Sequence, residues 1–144
     1  MTFYPHLETL LTELKSQLNL EYDVEAYADM SDISIQKTPY ICIVAEPSEV
    51  KDLISDGKTI KSIRTEQFWT ILSVVRNASD QLVTKPLLLE LGSLMGDVIN
   101  VLCKRIITSG GPLRIVDFPQ PIPIKGGGVA GKIRIGIQFL FNSE

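Results

Sequence analysis

Residues 126–132 read GGGVAGK, which fills the glycine and lysine positions of a phosphate-binding loop and also fits GxGxxG. Both patterns work by letting backbone approach phosphate while a following helix aims its N-terminal N–H groups at the anion. Here Ile133 stands where a metal-holding Ser or Thr belongs, and the residues after Lys132 alternate with the two-residue period of a strand. A hairpin loop is therefore expected at these glycines, not a nucleotide cradle. Ser48-Glu49-Val50-Lys51 matches the SxxK pattern of serine acyl enzymes, but its partner motifs are absent in usable form, so a capped turn is expected. His6 is the only imidazole and no GxSxG elbow exists, which leaves serine–histidine catalysis without a presented nucleophile. The acidic pairs Asp29 with Asp32 and Glu49 with Asp52 read as solvated loop carboxylates. Cys42 and Cys103 each lie in an apolar segment, so both are expected to be buried thiols. Two cysteines and one histidine are too few for a structural zinc site, and no cofactor is implied. Asn77-Ala78-Ser79 reads as a turn and Trp69 as a core or sheet-face anchor.

With catalytic chemistry unsupported, the remaining question is what kind of surface the chain offers. Its 144 residues suit one domain, residues 1–144, that buries about two-thirds of the unfolded surface. A content of 44% hydrophobic and 22% charged residues fits a packed globule and not a disordered or coiled-coil chain. The net charge of −3, with both signs interspersed, supplies no footprint for a phosphate backbone, so no specific nucleic acid is expected as partner. No uninterrupted apolar run reaches the ~18 residues of a membrane span, and Met1-Thr2-Phe3-Tyr4-Pro5 lacks the plan of a secretory leader. No membrane partner is expected, and the chain is expected to fold where it is made.

Leu7, Leu10, Leu11, Leu14 and Leu18 fall at helical spacing, predicting an amphipathic helix over residues 4–18 with Thr2 as cap, Pro5 in the first turn and Asn19 as stop. Val24, Ala26 and Ala28 suggest a short strand. The continuous apolar run 40–45, stopped by Glu46-Pro47, predicts a central strand buried on both faces. Residues 47–54 read as a short helix or turn, and Asp56-Gly57 as a reverse turn that begins a second extended stretch. Residues 67–76 are apolar on both sides of the pleat, so this strand is expected to be wet on neither face. A second, longer helix is expected over residues 86–105, ending before Ser109-Gly110-Gly111. Residues 113–116 are expected to form a strand, and Pro119-Gln120-Pro121-Ile122-Pro123 is confined to a loop or sheet edge. Residues 132–141 carry Ile133, Ile135, Ile137, Phe139 and Phe141 in strict alternation. Helix, strands, helix, strands is not a βαβ alternation. It predicts an α+β fold: a mostly antiparallel or mixed β-sheet with two main α-helices packed on one face.

The linear arrangement resembles a known family. An N-terminal leucine helix, the strand Thr38-Pro39-Tyr40-Ile41-Cys42-Ile43-Val44, the strand from Gln67 to Asn77, the long helix and a glycine-led final strand ending in Phe139-Leu140-Phe141 are similar to tail terminator proteins of tailed bacteriophages. The resemblance covers nearly the whole chain as a pattern of elements. It implies a structural virion protein, not an enzyme, that forms a homohexameric ring, caps the tail tube, stops its polymerisation and provides the head-joining surface. Its implied partners are other copies of itself, the tail tube protein and a head-completion or connector protein. Its implied place is the virion tail, assembled in the host cytoplasm. Neck and tail-completion proteins share these traits. On this reading the segment 119–131 with its flanking cations is the first candidate interface, namely Lys125, Gly126, Gly127, Gly128, Lys132 and Arg134, because small and proline-rich residues can order on docking. Residues 48–61 form the second candidate.

Overall fold

A strand that is apolar on both sides must be covered on both, and one such strand organises this chain. The structure is a computed structural model that describes residues 7–17, 23–27, 40–76, 85–104, 113–117, 121–124 and 128–142. Helix α1 spans Leu7–Gln17, and strands β1 (Asp23–Tyr27), β2 (Tyr40–Ala45), β3 (Glu49–Ser55) and β4 (Ile60–Arg76) follow. Helix α2 (Lys85–Lys104) precedes β5 (Leu113–Asp117), β6 (Ile122–Ile124) and β7 (Gly128–Asn142). The strands form one sheet in the order β1-β2-β4-β7-β5, with β3 also on β4 and β6 also on β7. Only β1 with β2 is parallel; the other pairings described are antiparallel. The expected α+β class is what the chain adopts.

Residues 67–75 of β4 are all buried, as their two-sided pattern requires. Trp69, Ile71 and Val75 join Ile41 and Ile43 of β2 and Ile133, Ile135 and Ile137 of β7 on the face that carries the helices. Onto them pack Leu10 and Leu14 from α1 and Leu87, Leu91, Leu94 and Val98 from α2, the stripe that the helical spacing marked out. Each such leucine, fully buried, contributes about 1.5–3 kcal/mol. The alternate residues Tyr40, Cys42, Val44, Leu72, Val74 and Ala130 form a second buried cluster on the reverse face. Met95 of α2 comes down on Gly131 of β7, where any side chain would collide with its thioether.

Three expectations need correction. Residues 49–55 are neither helix nor turn: β3 pairs with β4 from Glu49↔Glu66 to Ser55↔Ile60, so β2 and β3 follow one another along the same side of β4. Cross-strand pairing overrode the local polar pattern here. Cys42 is buried but Cys103 is exposed, because the helical turn places it on the outer side of α2. Finally, α2 is long and apolar enough to cross a membrane by length and composition, with mean hydropathy 1.5 over Lys85–Cys103. Glu90 and Asp97 interrupt its apolar run and hid this in the sequence; Leu87, Leu91, Leu94 and Leu102 face the core, while Leu88 and Leu89 are exposed. Residues Thr2, Pro5, His6, Asn19, Asp29 and Asp32, and the turns expected at 77–80 and 109–111, lie outside the described residues.

Candidate interaction surface

The first candidate segment is largely sheet. Ile122–Ile124 pairs with β7 from Ile122↔Ala130 to Ile124↔Gly128, making a hairpin on the edge where proline is tolerated. Lys125, Gly126 and Gly127 lie outside the described residues. Gly128 is buried in β7, opposite Arg76 of β4, and so belongs to the sheet and not to a surface. Gly128, Gly131 and Lys132 sit inside a strand with no helix after them, so the phosphate-cradling geometry is not formed at the described residues of this motif. Lys132 is half-buried opposite Leu72. Arg134 is engaged within the chain: its Nε donates to Glu46 Oε2 at 2.6 Å, and its guanidinium lies 4.4 Å from the centre of the Phe68 ring. That stacked ion pair pins the end of β2, where the Glu46 backbone N–H also donates to Phe68 O at 3.0 Å.

The second candidate, residues 48–61, becomes a projecting arm. β3 and the start of β4 form a hairpin closed by Asp56, Gly57, Lys58 and Thr59. Asp56 Oδ1 accepts the N–H groups of Lys58 at 3.0 Å and Thr59 at 2.9 Å, and these bonds hold its carboxyl below the ordinary aspartate range. Gly57 turns with φ +89°, a region that side chains disfavour. Every residue from 49 to 61 is exposed. Among them are four large apolar side chains: Val50 at 63% exposure, Leu53 and Ile54 at 47% each, and Ile60 at 46%. Leu140 of β7, opposite Arg64 of β4, is also exposed. Register places Val50 and Leu53 on the helix-bearing face, in line with Thr65 and Ile63, and Ile54 on the reverse face, in line with Ser62. Covering all four, which needs contact on both faces of the arm, would gain roughly 3–6 kcal/mol before any ordering cost.

The outer edge of β3 is poorly suited to adding another strand. Register shifts between Val50 and Asp52 and between Ile54 and Ser55 break the ladder, and Lys51 sits on the edge. The arm therefore offers side chains and not backbone.

At its base lies the feature that the sequence reading missed. Glu66 is only 1% exposed, yet it is ionic. Arg114 of β5 grips it with Nη2 at 2.5 Å from Oε1 and Nε at 3.4 Å from Oε2, while Gln138 Nε2 stands 3.5 Å from Oε2 and Lys51 Nζ 3.7 Å from Oε1. Burial pushes the Glu66 carboxyl up, but these partners together outweigh it and hold the group below the ordinary glutamate value. Its side chain crosses Gly136, whose missing Cβ would stand 3.1 Å from the Glu66 carboxyl carbon and 3.2 Å from the Phe68 ring. One carboxylate thus joins the arm, the centre of the sheet and the β5 edge. The signal available in the sequence was a glutamate at the head of a strand otherwise buried on both sides, where a charge needs a partner. Among the described residues, no three His, Cys, Asp or Glu side chains gather into a metal-ligand set.

Compared with known proteins, the chain matches no family model and no curated protein.

Proposed function

We propose that this chain is a structural assembly subunit of the tail-terminator kind: it associates with copies of itself into a ring, caps a tail tube and leaves a surface for the head side. The observation that carries this reading is the arm, in which four large apolar side chains are held in water on a hairpin with a well-bonded turn. Val50 and Leu53 share one face and Ile54 lies on the other, so the arm offers apolar side chains on both sides, and large apolar groups gathered in water mark interaction sites. Lys51 of the arm is tied to the buried Glu66 that Arg114 grips, which anchors the base of the arm to the sheet and supports a surface that needs little ordering on docking. The reading includes the element pattern described above, a place in the virion tail and no chemistry of its own. Capping then follows from shape: one face of a ring complements the tube end, and the opposite face lacks the patch needed to add another tube ring.

Native mass measurement and negative-stain imaging of the protein, alone and with tail tube, test this. Ring particles or ring-decorated tube ends are expected. A protein that stays monomeric and ignores tubes refutes the reading.

A further inference from the structure

We infer that the arm of one copy docks on the outward face of α2 in the next, so that copies join head to tail. The inference rests on the self-associating role proposed above and names the two surfaces that meet.

The size of the arm fits an interface with another chain. Its thirteen consecutive exposed residues, 49–61, make up about half of the roughly 20–30 residues that one partner contributes to a standard protein interface. Of the remaining exposed large apolar residues, Leu88 and Leu89 lie together on α2, with Leu89 at 65% exposure. At 3.6 residues per turn, Leu89, Ser93, Gly96 and Asn100 run down the outward side of this helix, opposite Leu91, Leu94 and Val98 in the core. A Cβ built on Gly96 meets nothing within 4 Å, so this side is open and low enough to admit a neighbour's side chain.

Charge is complementary as well. On the arm, Lys51 is tied to Glu49 and Glu66, and Lys61 to Asp56, whereas Lys58 and Arg64 have no ion pair among the described residues. On α2, Glu90 and Asp97 are exposed, two turns apart along one flank, and likewise have no ion pair there. Asp52 on the arm and Lys85 on α2 are also exposed without an ion pair among the described residues, so the unmatched charges sum to +1 on the arm and −1 on α2 and remain complementary.

The two surfaces of a single chain cannot meet. The arm continues the plane of the sheet, while the outward side of α2 is turned away from it. A contact between different patches is heterologous, and copies joined this way close into a ring or extend as a filament.

The test uses two full-length variants. Leu53→Asp spoils the arm, and Gly96→Lys fills the open side of α2 with a long cation; both positions face open space, so thermal melting should show each variant still folded. Each alone is expected to lose association by at least tenfold, as a central interface residue does. Mixed in equal amounts, they are expected to form a heterodimer, because one intact arm still meets one intact α2. Lys58→Glu and Asp97→Lys provide a second measurement that leaves packing untouched: each should weaken association several-fold, and the two charges reversed together should recover part of it.

Undiminished rings from either Leu53→Asp or Gly96→Lys, or two monomeric variants that fail to complement, overturn the arm-to-helix contact and leave the ring itself standing. A wild-type chain that is monomeric at every concentration overturns both.

Discussion

Replacing Arg114 with methionine isolates what holds Glu66 in its charged state. The arginine supplies the two closest side-chain contacts, at 2.5 and 3.4 Å, and without it the carboxylate keeps only Gln138 at 3.5 Å and Lys51 at 3.7 Å. Both survivors are too long to replace a bidentate grip. Methionine preserves the apolar stem of the side chain, and the Arg114 side chain is itself 54% exposed, so the loss falls mainly on the stranded carboxylate. Leaving such a group under-bonded costs about 1–3 kcal/mol, which moves a urea midpoint by ~1 M at a slope near 2 kcal/mol per M. The pH dependence follows from linkage. Because the folded pKa of Glu66 lies below its ordinary value of 4.5, its contribution to stability is complete above 4.5 and is lost as pH falls through the folded value. Without Arg114, burial dominates and the folded pKa rises. The stability gap between wild type and Arg114→Met should therefore be full near neutral pH and close as acid neutralises the carboxyl in both proteins. Urea unfolding at neutral and acidic pH measures this directly. A gap under about 0.5 kcal/mol, or one of equal size at both pH values, refutes the account.

Two further substitutions test the arm and the helix-bearing face. Gly57→Ala forces a side chain into the φ +89° region and should cost about 1–2 kcal/mol, read as faster hydrogen exchange at the Lys58 and Thr59 amides; unchanged exchange would show that the turn does not depend on glycine. Gly131→Val should cost about 1–3 kcal/mol by driving into Met95, and adding Met95→Ala should relieve it, so that the double variant is more stable than the sum of the singles; strict additivity would mean that the contact does not limit packing.

Much of the fold is legible because burial writes itself into periodicity. Leu87, Leu91, Leu94 and Val98 at helical spacing, and Ile133, Ile135 and Ile137 at strand spacing, name their faces without knowledge of their partners. The run 40–45 declares two-sided burial in the same way. What stayed hidden depends on chain segments far apart in sequence. Nothing local in Glu49-Val50-Lys51-Asp52 demands a strand; β4 imposes it. Nor does anything near Glu66 announce Arg114, which is 48 residues away. The glycine-rich candidate drew attention by composition, yet Gly128 and Gly131 serve the sheet and Arg134 serves Glu46. The exposed apolar side chains of β3 looked ordinary in sequence, because a half-polar strand and a solvated turn share one composition.

A strand with one wet side is aligned by its hydrophobic pattern, since sliding one residue turns its apolar side to water. β4 lacks that safeguard over residues 67–75, which are buried on both sides, whereas β7 keeps it, because a slip would turn Lys132, Arg134 and Gln138 into the core. Bulk adds a second check to that of polarity. Sliding β7 by one place would bring Ala130 or Lys132 beneath Met95 and Ile135 or Ile137 beneath Glu66, where the correct alignment has Gly131 and Gly136. The two glycines behave as keyways cut into a shaft, and only the correct alignment lets Met95 and Glu66 drop into them.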